Sequence, residues 1–204
     1  DEMQMVLERD LGDLVTVEAT PNHLFLAAPE CYELHGTWAQ MNPPVRDVRH
    51  QEILRRALVE GPVTCIGSDH APHTPEEKAK PYPHSPSGIA GTQTILPLLL
   101  TAVRDGWLSL QDIVRLSVDG PRHVYGIENK GAMDVGCDGD VTLVDPSVTE
   151  NLPPAWLRSR AGRSPFEGIP LAGWPVTTVL RGQIVYNQHQ LVGSPIGQPL
   201  TFSS

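Results

Sequence analysis

The chain has 204 residues and a formal net charge of −9, with 20 prolines, 18 glycines and three cysteines. That acidity argues against a phosphate backbone or an anionic membrane surface as the main partner, because like charges repel. Cys31, Cys65 and Cys137 lie far apart without C-x-x-C spacing, so neither a disulfide framework nor a thiolate zinc knuckle is indicated, and a reducing, cytoplasmic setting is expected.

No apolar run approaches the roughly 20 residues a membrane span needs, and the acidic start Asp1-Glu2-Met3-Gln4 does not read as a signal peptide. The length can bury a sizeable core, yet it falls short of the roughly 250 residues typical of a (β/α)₈ barrel.

Taken in chain order, Val15 to Ala19 is short and β-branched and reads as a strand running into a polar loop, Thr20-Pro21-Asn22-His23. From Asp47 to Glu60, the positions Ile53, Leu54, Ala57 and Leu58 share one face, Asp47 suits an N-cap and Gly61 follows the end; an amphipathic helix on a sheet is predicted. Val63-Thr64-Cys65-Ile66 is a second strand, delivering Asp69, His70 and His73 immediately after it. Thr92 to Val103 is apolar with Pro97 inside, so a helix there must kink or start late. Ser109-Leu110-Gln111-Asp112 resembles a capping box opening a helix through Leu116.

The composition changes at Lys130-Gly131. Val141 to Val144 and Val176 to Leu180 read as strands, the second joined through Arg181-Gly182-Gln183 to Ile184-Val185-Tyr186. Residues 146–175, rich in Pro, Ser, Arg and Gly, are expected to wrap over a surface. The reading is α/β up to about residue 128, followed by a small β unit from 129 to 204.

In parallel α/β folds, chemistry is carried where strands end at their C-terminal edge. His23 and Asp69 both occupy such places, and an imidazole with a carboxylate suits a zinc-type ion that keeps one position for water. The plainer alternative has His23 closing a loop and Asp69 capping a helix. His70 reads as loop support rather than a ligand, His84 as solvated, and Glu76-Glu77-Lys78 as an exposed charged helix start.

Asp69-His70-Ala71-Pro72-His73-Thr74-Pro75-Glu76-Glu77-Lys78 resembles the signature of dihydroorotases in the amidohydrolase superfamily. In the same order, Glu18 to Leu24 resembles the family's strand-six segment, Met41-Asn42-Pro43-Pro44-Val45-Arg46 its substrate loop, and Gly88-Ile89-Ala90-Gly91 with Leu96 to Leu99 the stretch after the signature. Gly136 to Val141 and Ser164-Pro165-Phe166-Glu167-Gly168 are similar to its tail.

The resemblance implies the C-terminal part of a (β/α)₈ TIM barrel, from about strand six onward over residues 1–128, followed by part of a small β-sandwich domain over 129–204. It implies a zinc-dependent hydrolase interconverting dihydroorotate and N-carbamoyl-aspartate in pyrimidine synthesis, with one or two Zn²⁺ per complete site. His23 and Asp69 would be metal ligands, and Asp69 also the catalytic base that takes a proton during attack and relays it to the departing amide nitrogen. Asn42, Ala71, His73, Ser87 and Gly88 would hold the substrate. Asn22 and Ser87 depart from the family's histidine and phenylalanine-like residues. The family's His-x-His pair and its bridging ligands have no counterpart here, so the missing N-terminal half of the barrel is an expected partner, alongside the small-molecule substrate and room for a homo-oligomer. The alternatives are a hydantoinase- or allantoinase-type enzyme, expected to lack the His73 and Glu76-Glu77-Lys78 pattern, and a non-catalytic scaffold subunit.

Overall fold

The computed structural model describes residues 2–9, 11, 14–153 and 156–203. Helix α1 (Glu2–Glu8) precedes β1 (Val17–Ala19), α2 (Pro21–Phe25), α3 (Glu30–His35) and a 3₁₀ turn at Gly36–Ala39. Helix α4 (Val48–Glu60) then leads into β2 (Val63–Ile66) and the short α5 (Pro75–Lys78). After these come α6 (Ile95–Arg104), α7 (Leu110–Val114), a π-helical segment at Arg115–Asp119 and α8 (Gly120–Tyr125). The chain closes with β3 (Val141–Asn151), β4 (Pro170–Leu180), β5 (Gln183–Asn187) and β6 (Gln190–Leu191).

β1 and β2 pair in parallel, with Ala19 opposite Ile66 and the Gly67 amide donating to Ala19 O at 3.0 Å. The crossover between them contains α4, whose Asp47 carboxylate accepts from the Arg49 amide while Gly61 closes the other end. Ala57 and Leu58 on its inner face are buried, with Leu54 packed against the same cluster of Leu24, Val63, Ile66, Leu99 and Leu116. This amphipathic spacing is what fixes α4 to the sheet.

Helix α6 begins at Ile95, so Pro97 falls in the first turn, where a missing N–H costs no intrahelical bond. The capping box of α7 is present: Ser109 Oγ accepts from the Asp112 amide, and the Asp112 carboxylate accepts from the Ser109 amide at 2.9 Å. The following turn widens at Arg115 rather than ending at Leu116. The strand expected from Val15 begins at Val17, and the expected loop Thr20-Pro21-Asn22-His23 is instead the start of α2, with Thr20 as N-cap and Pro21 at the first helical position.

β3, β4, β5 and β6 form an antiparallel sheet in that order. Arg181 and Gly182, both at positive φ, make the tight turn between β4 and β5. Lys130 Nζ bridges Asp138 at 2.6 Å and Asp140 at 2.5 Å, and the Arg181 amide donates to Asp140 at 2.8 Å, which ties the start of the sheet to this turn.

The surface wrap expected for residues 146–175 is not what forms. Leu152, Trp156, Leu157, Phe166, Leu171 and Trp174 are buried in one cluster with Leu98 of α6 and Met41. Trp156 and Trp174 meet edge to face, with centroids 5.0 Å apart. The Pro and Gly content concealed this because a few large, widely spaced side chains, rather than a periodic run, supply the burial. β4 lies directly on α6: the Ala172 amide donates to Thr101 Oγ1 at 2.8 Å. A Cβ at Gly173, where φ is +77°, would stand 2.8 Å from Leu100 Cβ, so only glycine admits this approach.

Candidate active site

The parallel pair places two functional groups beyond its C-terminal edge. His23 sits in the short helix α2 after β1, and Asp69 stands just after β2. Thr20 serves the first of these twice. Its Oγ1 accepts from the His23 amide at 3.3 Å, and its hydroxyl meets His23 Nδ1 at 2.7 Å. On the other side of the ring, Nε2–H donates to Pro43 O at 3.0 Å. A carbonyl can only accept, so the proton resides on Nε2 and the Thr20 hydroxyl donates to Nδ1.

Asp69 has φ 46°, a left-handed conformation unusual for a residue with a side chain. It is exposed, and among the described residues its carboxylate has no hydrogen-bond or ion-pair partner. Left-handed backbone is rare for a residue with a side chain, though aspartate adopts it more readily than most.

His70 supports the loop, as its sequence position suggests: Nδ1 accepts from the Gly91 and Thr92 amides at 3.1 and 3.3 Å. The Ala71 amide donates to Ile89 O at 3.0 Å, so this N–H is engaged within the protein. His73 Nε2–H donates to Ser87 O at 3.1 Å, with Nδ1 3.6 Å from Glu77 Oε2. Gly88 has φ +142°, and a Cβ there would lie 2.3 Å from Ala71 O. Glycine therefore lets residues 86–89 lie against the 69–73 segment.

Five of the expected site residues are distributed over three cavities, whereas Asp69 and Ala71 line none of them. Asn42 and Ser87 line one of about 680 Å³ with Tyr32, Gln40, Arg46 and Tyr82. His23 lines another of about 540 Å³ with Glu18, Thr20, Pro43 and Arg46. Pro44 and Arg46 border both, so these two are neighbours. His73 and Gly88 line a narrow cleft of about 10 Å³ with Trp38, Lys78 and Arg163.

Lys78 corrects the sequence reading most sharply. Instead of an exposed helix start, its side chain is 1% exposed, and Nζ donates to Gln40 O (3.0 Å), Pro86 O (3.0 Å) and Gly88 O (2.9 Å). Burial pushes its pKa down to about 8. Of Glu76, Glu77 and Lys78, the first two face solvent in the Thr74–Glu77 capping box. Periodicity gave no signal in four residues; only the proline-rich loop that follows, with carbonyls in need of donors, hinted at a buried cation.

One imidazole and one carboxylate make an incomplete donor set for a catalytic zinc, which takes three protein ligands and water. Among the described residues no cluster of three or more His, Cys, Asp or Glu side chains is arranged to hold a metal ion. Asn22, 1% exposed beside His23, has a buried Nδ2 without a partner among the described residues. Asp69 and Asn22 thus each have a polar group without a partner among the described residues, whereas both ring nitrogens of His23 are engaged.

No protein-family model matches the chain. It is 40% identical over 172 residues to the dihydroorotase of Halobacterium salinarum, a match covering 84% of this chain and 40% of that protein. To the dihydroorotase of Methanosarcina mazei it is 36% identical over 184 residues, covering 89% and 40%. Its structure superimposes on an L-hydantoinase (dihydropyrimidinase) from Arthrobacter aurescens with a TM-score of 0.88 at 29% identity, over 97% of this chain and 45% of that one. A dihydropyrimidinase from Brevibacillus agri gives 0.85 at 27% identity, over 93% and 43%. This α/β chain, with a histidine and an aspartate at neighbouring strand ends, is thus similar over most of its own length to dihydroorotases in sequence and to hydantoinases and dihydropyrimidinases in fold. It spans about two fifths of the length of the dihydroorotases it matches.

Proposed function

We propose that this chain is the C-terminal portion of a zinc-dependent dihydroorotase: the TIM barrel from about strand six onward (1–128) and part of a small β-sandwich domain (129–204). The complete protein would hydrolyse (S)-dihydroorotate reversibly to N-carbamoyl-L-aspartate, a step of pyrimidine synthesis in the cytoplasm. The observation that carries this reading is Asp69, at positive φ and exposed just after β2, its carboxylate without a partner among the described residues, within the Asp69-to-Lys78 segment.

His23 and Asp69 are the residues of this chain that would hold Zn²⁺, one or two ions per complete site, with the remaining ligands supplied by the N-terminal half. When bound, zinc supplies Lewis acidity that polarises the amide carbonyl and lowers the pKa of water to about 7. His23 must then free a lone pair at the nitrogen now facing Pro43 O. Its ring proton would pass to Nδ1, from which it donates to Thr20 Oγ1, so the same hydroxyl orients the ring in either tautomer.

Asp69 takes the proton lost by the attacking water oxygen as that oxygen bonds to the ring carbonyl carbon. The ring C–N bond breaks, and the Asp69 carboxyl returns this proton to the departing nitrogen. Asn42, Ser87 and Gly88 hold the substrate, with His73 and the Ala71 backbone toward its carboxylate. Since the Ala71 amide and His73 Nε2 are engaged by Ile89 O and Ser87 O, substrate entry must exchange at least one of those contacts.

The solved structures on which the chain superimposes support a second reading, a hydantoinase or dihydropyrimidinase. The complete polypeptide, loaded with zinc and offered dihydroorotate, hydantoin, dihydrouracil and allantoin, separates the two. Turnover of dihydroorotate above the others supports dihydroorotase; turnover of the others alone overturns it.

A further inference from the structure

The Lys78 ammonium lies where two separate segments meet, and its single nitrogen touches both sides of the junction. Gln40 O belongs to the turn leading into Asn42; Pro86 O and Gly88 O flank Ser87 on either side. All three of its protons go to these carbonyls, and among the described residues no carboxylate pairs with it. A buried cation without a counterion is costly, so the carbonyl cage must offset that cost, which it does only while the two segments stay together.

The cage is reinforced around its rim. The Gly88 amide donates to Gln40 O at 2.9 Å, Gln40 Nε2 donates to Ser85 O at 2.9 Å, and Thr37 Oγ1 donates to the Lys78 carbonyl at 2.5 Å. Lys78 also ends α5, whose capping-box residue Glu77 stands beside His73. One four-residue helix therefore bears on Asn42, Ser87, Gly88 and His73, every substrate-side residue assigned above except Ala71.

We propose that Lys78 is a positioning residue for substrate: its ammonium clamps the Asn42 segment to the loop at Pro86–Gly88, setting the spacing of the substrate-contacting groups without touching substrate itself. This rests on the dihydroorotase reading of the site. The ionised form is the working one, because a neutral amine has two protons for three carbonyls and turns a lone pair toward the third. The titratable and charged groups sharing its surroundings are His73 and Arg163, which line the same cleft, and Glu76, Glu77 and Lys80 on and beside its own helix. Its lowered pKa, about 8, puts loss of the clamp within reach of an ordinary alkaline titration.

The test uses the complete zinc-loaded polypeptide, comparing wild type with Lys78→Met, which keeps the stem and removes the donors. The expected result is a rise in KM for dihydroorotate of about tenfold or more with kcat changed less than threefold. In wild type, KM should climb as pH rises through about 8, and this climb should be absent in Lys78→Met. Hydrogen exchange at Gly88, read without substrate, should accelerate in the variant and, in wild type, as pH passes about 8 beyond the intrinsic pH effect seen at control amides. Equal KM values and unchanged Gly88 protection overturn the proposal, as does an equal loss in kcat with KM unmoved. If Lys78→Met does not fold, the wild-type pH series for KM and Gly88 decides alone: a flat series overturns it. A wild-type enzyme that ignores dihydroorotate defeats the functional reading instead, leaving the Gly88 exchange data to judge the clamp.

Discussion

Replacing Thr20 with valine removes one oxygen that has two roles, and the two have separable costs. As N-cap of α2, Thr20 accepts the His23 amide at 3.3 Å; losing a cap costs about 0.5–2 kcal/mol, and this long bond in a five-residue helix argues for the lower end. As the partner of His23 Nδ1 at 2.7 Å, it fixes the ring, and loss of such a partner typically weakens metal binding 10- to 100-fold, about 1.4–2.7 kcal/mol. The expected outcome in the complete polypeptide is therefore a small fall in unfolding free energy, about 0.5–1 kcal/mol, with a tenfold or greater loss of zinc affinity. Zinc would be measured by competition against a chromogenic chelator, and stability by urea unfolding of the apoprotein. Thr20→Ser keeps the oxygen and should bind zinc as wild type does. Wild-type affinity in Thr20→Val would refute the reasoning, reducing Thr20 to a helix cap and His23 to a residue that binds no metal.

Three further outcomes follow from the geometry. Thr101→Val strands the buried Ala172 amide and should destabilise the protein by about 1–3 kcal/mol in urea unfolding, whereas an unpaired amide reached by water would leave the midpoint unchanged. The Asp112 carboxyl is held below the usual range, chiefly by the Ser109 hydroxyl and amide and then by Arg115, so its contribution is present above about pH 4 and lost as pH falls through the folded pKa. Ser109→Ala should accordingly lower stability at pH 7 by about 1 kcal/mol and by less at pH 2–3; an equal loss at both pH values would contradict this. The 204-residue chain alone, titrated with zinc by calorimetry, should show no tight stoichiometric binding, since the proposed donors among the described residues are His23 and Asp69; nanomolar affinity would mean the donor set is complete.

The strand ends were legible because burial forces β-branched residues into short runs: Val63 to Ile66 forms as read, and the groups that follow it fall where α/β folds place chemistry. Helix α4 was equally plain, since Asp47, Gly61 and the apolar face between them each act locally. Lys78 and residues 146–175 were not. A buried lysine looks like any surface lysine until the carbonyls of Gln40, Pro86 and Gly88, remote in sequence, are folded around it. Trp156 and Phe166 come from irregular backbone, where no period exists to detect, and Trp174 comes from the start of β4, where Leu171 to Trp174 are all buried and no alternation shows. The helical start at Thr20 was missed for a related reason: Thr-Pro reads as a turn, and only the hydroxyl's bond to the His23 amide turns it into a cap.

The central claim is that Asp69 serves as both ligand and proton carrier for opening a cyclic amide. Its most direct test is turnover of dihydroorotate by the complete zinc-loaded polypeptide, wild type against Asp69→Asn, a change that keeps shape and tolerates the left-handed backbone. Robust wild-type turnover is expected, with a loss of about 10³-fold or more in kcat for the variant in both directions of the reaction. Wild-type rates in Asp69→Asn, or a folded, zinc-loaded wild type that does not turn over dihydroorotate, would contradict it.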